Sequence, residues 1–281
     1  MDVFAAVNRF ISLYVDTFKQ LGRGRIWLLL VGYFLLNWLL LYAHYNFLSP
    51  LFYGFISFWT SLFHDQQAGG FTHYPGHFIL LPHFFGWAKF FLGMILEGAI
   101  LGAVALIFYD SFLDIPRAER SSTRTLFSSW VHLVLSWVLI NGLILLVNLE
   151  LPKLLKPWLV YSPRRIQALE FVLLPLLYIV VLALFFFMLP RVAIYRESFL
   201  RALKGALRMF IRNPITCFSL SLVLLTVPIF ISFISSHATE IVEKFKPEVV
   251  YWILLAGLVA DALFYFFWMG TAVRFLVEEE S

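Results

Sequence analysis

Two carboxylic acids stand inside apolar runs. Glu97 lies in "GMILEGAILG" (93–102) and Asp261 in "GLVADAL" (257–263), each four residues after a glycine. An acidic side chain at the centre of a bilayer costs about 2.5–3.5 kcal/mol on insertion scales, so each acid must face protein or water. Three chemistries suit such a pair. The carboxyls can hydrogen-bond Asn37, Asn141 or a backbone carbonyl and hold helix register. They can take up a proton or cation in a transport path. They can also meet a basic or polar group on a partner's membrane helix. The residues leave these open. Gly98 and Gly102 form a GxxxG pattern, and Gly93 and Gly257 stand one turn before the two acids. Small residues at these positions let helix backbones approach closely.

The other chemistry-bearing residues point away from catalysis. His64, His73, His77 and His83, with Asp65, crowd one segment, but Pro75 and Gly76 separate His73 from His77, and no regular ligand spacing accompanies them. No metal site and no cofactor are expected. Asp110 and Asp114 in "YDSFLDIPRAER" share one face of a continued helix, where Arg117 and Arg120 would neutralise them. Cys217 is the sole cysteine and has no intramolecular partner. Nucleophile elbows, phosphate-binding loops and the HExxH zinc motif are all missing. The expected protein is not an enzyme.

The elements that position these residues follow from composition. Of 281 residues, 61% are hydrophobic and only 14% charged, against about a quarter charged in soluble domains. Apolar runs of near ~20 residues read as membrane helices. They fall at about 26–46, 88–109, 127–149, 166–190, 215–236 and 250–271. The fold class is all-α: a polytopic membrane bundle of six transmembrane helices, forming one domain over 1–281. Fourteen of the 21 Lys and Arg residues fall on the side that holds both ends, which makes both termini cytoplasmic. The opening 25 residues lack the apolar core and cleavage site of a signal peptide.

Two interfacial amphipathic helices complete the reading. Over 2–21, Phe4, Val7, Ile11, Tyr14, Phe18 and Leu21 recur at helical spacing, with Asp2, Arg9, Asp16, Lys19 and Gln20 largely opposite. Over 196–212, Arg201, Lys204, Arg208 and Arg212 form a basic stripe, and Phe199, Leu203, Ala206 and Phe210 an apolar one. Basic amphipathic helices of this kind meet anionic lipid head groups. The segment 47–87, aromatic and too short to span at its start, reads as an outer cap. Pro175 and Pro228 should kink their spans. Asn37, Asn141 and Thr226 occupy similar places in "FLLNWLLL", "VLINGLIL" and "VLLTVPIF", which suggests three related helical hairpins.

The stretch "FFFMLPRVAIYRESFLRALKGALRMFIRNPITCFSLSL" (185–222) runs from an apolar span through a short link into the basic helix and the next span. In this it resembles a broad set of bacterial six-helix membrane proteins of unknown function, which are similar to the membrane domain attached to some glycerophosphodiester phosphodiesterases. The resemblance implies a multi-pass protein of the bacterial inner membrane and no catalytic residue. The long segment 47–87 departs from it. The expected function is a non-catalytic membrane subunit that binds lipid, another membrane protein or a second copy of itself, and no nucleic acid. The alternative is a small proton-coupled transporter or channel using the intramembrane acids.

Overall fold

A computed structural model describes residues 3–62, 71, 73–115, 124–159 and 162–280. Among these the secondary structure is helical, joined by short turns, with no strand. Six helices are long and apolar enough to cross a membrane: Gly24–Tyr45, Gly76–Phe112, Ser128–Leu154, Pro163–Tyr195, Pro214–Ser236 and Val249–Glu280. The chain is therefore a multi-pass integral membrane protein.

In order, the helices are α1 (Val3–Lys19), α2 (Gly24–Tyr45), α3 (Pro50–Ser61), α4 (Gly76–Phe112), α5 (Arg124–Leu154) and the short α6 (Lys156–Leu159). Then come α7 (Pro163–Ala168), a π-helical turn (Leu169–Leu173), α8 (Leu174–Phe185), α9 (Met188–Tyr195), α10 (Phe199–Arg212), α11 (Pro214–Ser236), α12 (Ala238–Lys244) and α13 (Val249–Glu280). The irregular turn stands directly before Pro175, which has no N–H to donate. Pro228 lies inside α11.

The largest departure from the hydropathy reading is α4. It begins at Gly76, so 76–87 continues the span, and among the described residues before it α3 is the helix of the segment that hydropathy had set apart. At 37 residues α4 is about 55 Å long, well beyond the ~30 Å hydrocarbon core. Pro82 lies inside it and did not end it. At the other end α4 stops at Phe112. Asp114 adopts a left-handed backbone (φ 49), and the Ile115 N–H bonds back to the Asp110 carbonyl at 3.0 Å. This six-to-one closure ends the helix before Asp114, so Asp110 and Asp114 do not share a helical face. Arg117 and Arg120 lie outside the described residues.

The chain divides into two compact units, one of residues 1–27, 94–226 and 265–281, the other of 28–93 and 227–264. In the first, α1 packs on the end of α13. Leu13 and Thr17 are fully buried there, and a side chain on Gly270 would overlap the Thr17 methyl group. Trp27 stacks on Phe266 with ring centroids 5.0 Å apart, and Phe187 meets Phe275 at 4.9 Å. The Trp268 indole N–H bonds the Phe186 carbonyl at 3.0 Å.

In the second unit, Leu41, Phe78, Leu81, Phe85, Val250, Tyr251 and Leu258 form one apolar cluster. Ala43, Phe47, Ile56, Phe71 and Phe84 form another. Ile56 anchors α3 in it, and the Trp59 indole reaches the Phe84 carbonyl at 3.3 Å. Leu51, Tyr53, Phe55 and Phe58 point outward from α3. An outer face this apolar on a helix of 12 residues suits the membrane interface and is too short to cross it.

Lipid tails are as apolar as leucine, so close backbone approach does much of the work that water-driven burial does elsewhere. Gly98 shows it: a Cβ there would stand 2.8 Å from the Leu133 carbonyl oxygen of α5. Gly98→Ala should therefore cost about 1–3 kcal/mol through overpacking. Gly142→Ala, with open space around it, should be neutral or gain up to about 1 kcal/mol of helix propensity. Thermal unfolding in detergent checks both. Equal midpoints for Gly98→Ala and the parent protein would mean that this contact does not form.

Candidate functional site

α10 carries four basic side chains and no acidic one. Its sequence alternates with a period near 3.6, so Ala202, Ala206 and Met209 fall on one side and are buried. Arg201, Lys204, Arg208 and Arg212 fall on another and are all exposed. The buried side packs on α9, α8 and α5. Ser198 and Asn213 flank the helix, and Pro214 opens the next span. The cationic stripe is therefore presented by a helix fixed at the shared end of two spans.

Arg191 sets the angle at which α10 leaves α9. Its guanidinium donates to both carboxylate oxygens of Glu197, at 3.0 and 2.5 Å, and bridges the bend at which Arg196 adopts φ 54. Bidentate pairing of this kind fixes direction as well as charge. A third nitrogen donates to the Met209 sulfur at 3.6 Å. Gly205 supplies the room, because a Cβ there would overlap the guanidinium. A glycine in mid-helix costs about 1 kcal/mol against alanine, which was the one signal in the sequence that something approaches α10 at this point.

Beside this bend lies a cleft of about 460 Å³, lined by Arg191, Tyr195, Glu197, Gly205, Arg208, Met209 and Arg212 and, from the end of α13, Leu276, Glu279 and Glu280. Glu279 accepts from Arg9 at 2.9 Å, and Glu278 from the same guanidinium at 3.2 Å. Arg9 also lies over the Phe275 ring, 3.9 Å from its centre. Glu280 accepts from the Tyr109 hydroxyl at 3.4 Å. Arg274 donates to Asp16 at 3.0 Å, and Lys19 to the same carboxylate at 2.8 Å.

The charged side of α1 thus packs against α13, while Val7, Ile11 and Phe18 face outward. Asp2 and the Phe4 side chain lie outside the described residues.

The intramembrane residues sort differently from their spacing. Glu97 is 4% exposed, on the part of α4 that packs against α5, where Trp130 donates to the Ile95 carbonyl at 3.2 Å. Asp261 is paired with Lys89, a residue that the hydropathy boundaries had put at the outer end of a span. The amides of Asn37 and Asn141 are turned to their own helices. Each amide donates to its own helix four residues back, to Tyr33 at 2.9 Å and Trp137 at 3.2 Å. Thr226 does the same to Leu222 at 2.8 Å.

The three matched positions are buried, half-buried and exposed respectively, so they share a local bond and no common environment. Gly93 and Gly102 are buried, and a Cβ on Gly257 would meet Ile231 at 3.2 Å. In the second unit Asn37, Lys89 and Asp261 each stand one turn from Leu41, Phe85 and Leu258 of the apolar cluster, on the same side of it.

His77 is set among Phe47, Phe71, Tyr74 and Phe78, and His83 lies against Phe84. His64 and Asp65 lie outside the described residues. Among the described residues no three of His, Cys, Asp and Glu stand close enough to hold a metal ion. No family model, curated protein or solved structure matches this chain.

Two outcomes follow from these ion pairs. Lys89→Met leaves Asp261 without its cation and should cost about 3 kcal/mol, while the double change with Asp261→Leu should recover most of it. Unfolding in detergent measures the cycle, and purely additive effects would mean that the pair does not form. At the surface, the hydrogen bond from Lys19, aided by the charge of Arg274, holds the Asp16 carboxyl below its usual range. A lowered pKa stabilises the fold above the ordinary carboxylate value near 4 and is lost as pH falls through the lowered one. The midpoint gap between the parent and Asp16→Asn should therefore be full at pH 7 and close in acid.

Proposed function

We propose that this integral membrane protein is a non-catalytic component of the bacterial inner membrane that gathers lipid through α10, with both termini cytoplasmic. The observation that carries the reading is the stripe of Arg201, Lys204, Arg208 and Arg212, exposed on a helix whose opposite side is buried against α9, α8 and α5. Basic residues near an anionic leaflet each contribute about 1 kcal/mol of attraction. A stripe held at fixed height by neighbouring spans has little ordering left to lose on contact. The exposed apolar side chains of α1 and α3 support contact with acyl chains, a second membrane protein or another copy of this chain.

A second reading, a small proton-coupled transporter, draws on the layer of Asn37, Lys89 and Asp261. The Asn37 Oδ1 is buried with no partner among the described residues. A proton on Asp261 would release Lys89. Proton flux into proteoliposomes, abolished by Asp261→Asn, would favour this reading over the first.

The first reading is tested in nanodiscs of phosphatidylglycerol and phosphatidylcholine. Native mass spectrometry should find anionic lipid enriched on the protein, and the fourfold change R201Q/K204Q/R208Q/R212Q should lower that enrichment by at least about tenfold. Unchanged enrichment in a folded variant would sink the proposal.

A further inference from the structure

We infer that the cleft between α10 and the end of α13 is a site for one molecule that carries a phosphate and a primary ammonium group, the chemistry of a phosphoethanolamine head group. This rests on the reading of α10 as the element that meets lipid head groups, and gives it a specific ligand.

The argument is one of charges left over. Six charged side chains line the cleft, three of each sign. Arg191 and Glu197 satisfy each other in a bidentate pair, and Glu279 is engaged by Arg9. What remains is Arg208 and Arg212 on one wall and Glu280 on the other. Neither arginine has an ion-pair partner among the described residues. They stand one helical turn apart on α10, each with a planar fork that suits phosphate oxygens. Glu280 receives a hydrogen bond from the Tyr109 hydroxyl at 3.4 Å, but its charge meets no cation among the described residues. Two cations facing one anion across a cleft call for a ligand whose negative end is oxygen-rich and whose positive end donates hydrogen bonds.

Size and place agree with this. The volume of about 460 Å³ falls in the ~300–1,000 Å³ range of small-molecule sites. Leu276 and Met209 add apolar wall to an otherwise charged lining. The cleft is formed where α9 and α13 end, and both of those ends lie on the side of the membrane that carries α1, because an even number of crossings separates them. That is head-group level. A simple anion would satisfy the arginines and leave Glu280 repelling it. A choline head group would bring a cation with no N–H to give, so the site should prefer ethanolamine over choline at equal net charge.

The experiment uses the purified full chain in nanodiscs of equal parts phosphatidylethanolamine, phosphatidylcholine and phosphatidylglycerol, read by native mass spectrometry. One phosphatidylethanolamine should be retained about tenfold over phosphatidylcholine, since the difference is a charge-assisted hydrogen bond set. E280Q, which removes the charge and keeps an oxygen to accept from the Tyr109 hydroxyl, should bring the two to parity, and R208Q/R212Q should lower retention of both. In a second arm, free phosphoethanolamine and phosphocholine are compared by thermal shift on lipid-stripped protein in detergent. A shift with phosphoethanolamine alone supports the site with a soluble ligand, and retention of the lipid alone supports it with a membrane one. Equal retention of the two lipids without any selective shift overturns the site. If phosphatidylglycerol is enriched in the same discs, only the cleft assignment falls. If it is not, the reading of α10 falls as well.

Discussion

Hydrocarbon offers no hydrogen bonds, and everything else in this protein follows from that. Every backbone N–H and C=O within the membrane must be satisfied by its own segment, which leaves helices as the solution for a chain of six apolar runs. The same rule governs the polar side chains inside the spans. Asn37, Asn141, Thr226, Ser136 and Thr271 each donate to a carbonyl four residues back in their own helix. A hydroxyl or amide handled this way needs no neighbour. A polar residue in mid-span is therefore weak evidence of a site, and three spans can look related merely because each solves this problem alike.

An ionised group cannot be satisfied so locally, and the charges accordingly find each other across helices. Lys89 and Asp261 do so within the spans. Elsewhere charge collects at helix ends, where water or head groups share the cost of solvation. Arg9, Asp16, Arg274, Glu278 and Glu279 tie α1 to the end of α13 through one connected set of ion pairs. Arg191 and Glu197 brace the bend into α10. The result is a charged layer in which most carboxylates and guanidiniums are committed to holding helices, and a small remainder faces outward or into the cleft.

That remainder is where function is read. Arg201, Lys204, Arg208 and Arg212 are all exposed and form no ion pair among the described residues, although all four sit on a helix packed against α9, α8 and α5. The physical contrast with Arg191 is instructive. All lie within about two dozen residues of chain, but Arg191 is half-buried, bidentately paired and roofed by Gly205, which makes it a positioning residue. The exposed four are free to meet a surface that is itself charged. On the proposed reading, that surface is the membrane.

The sequence by itself determined the fold class. Hydropathy and run length suffice for six all-α spans because the bilayer imposes one solution, and the 3.6 period marked the basic stripe of α10 without reference to any neighbour. Only the tertiary structure decided which charges are spoken for. Asp261 looked like a companion of Glu97 and is held by Lys89. Asp16 and Arg9 looked like the wet side of a surface helix and are its attachment to α13. Glu279 and Glu280, a short acidic tail in the sequence, form one wall of a cleft with a helix that ends nearly seventy residues earlier. Periodicity tells a residue's face, but the partner on that face comes from elsewhere in the chain. Ion pairing depends on distances of 3 to 4 Å that no spacing along one helix can specify.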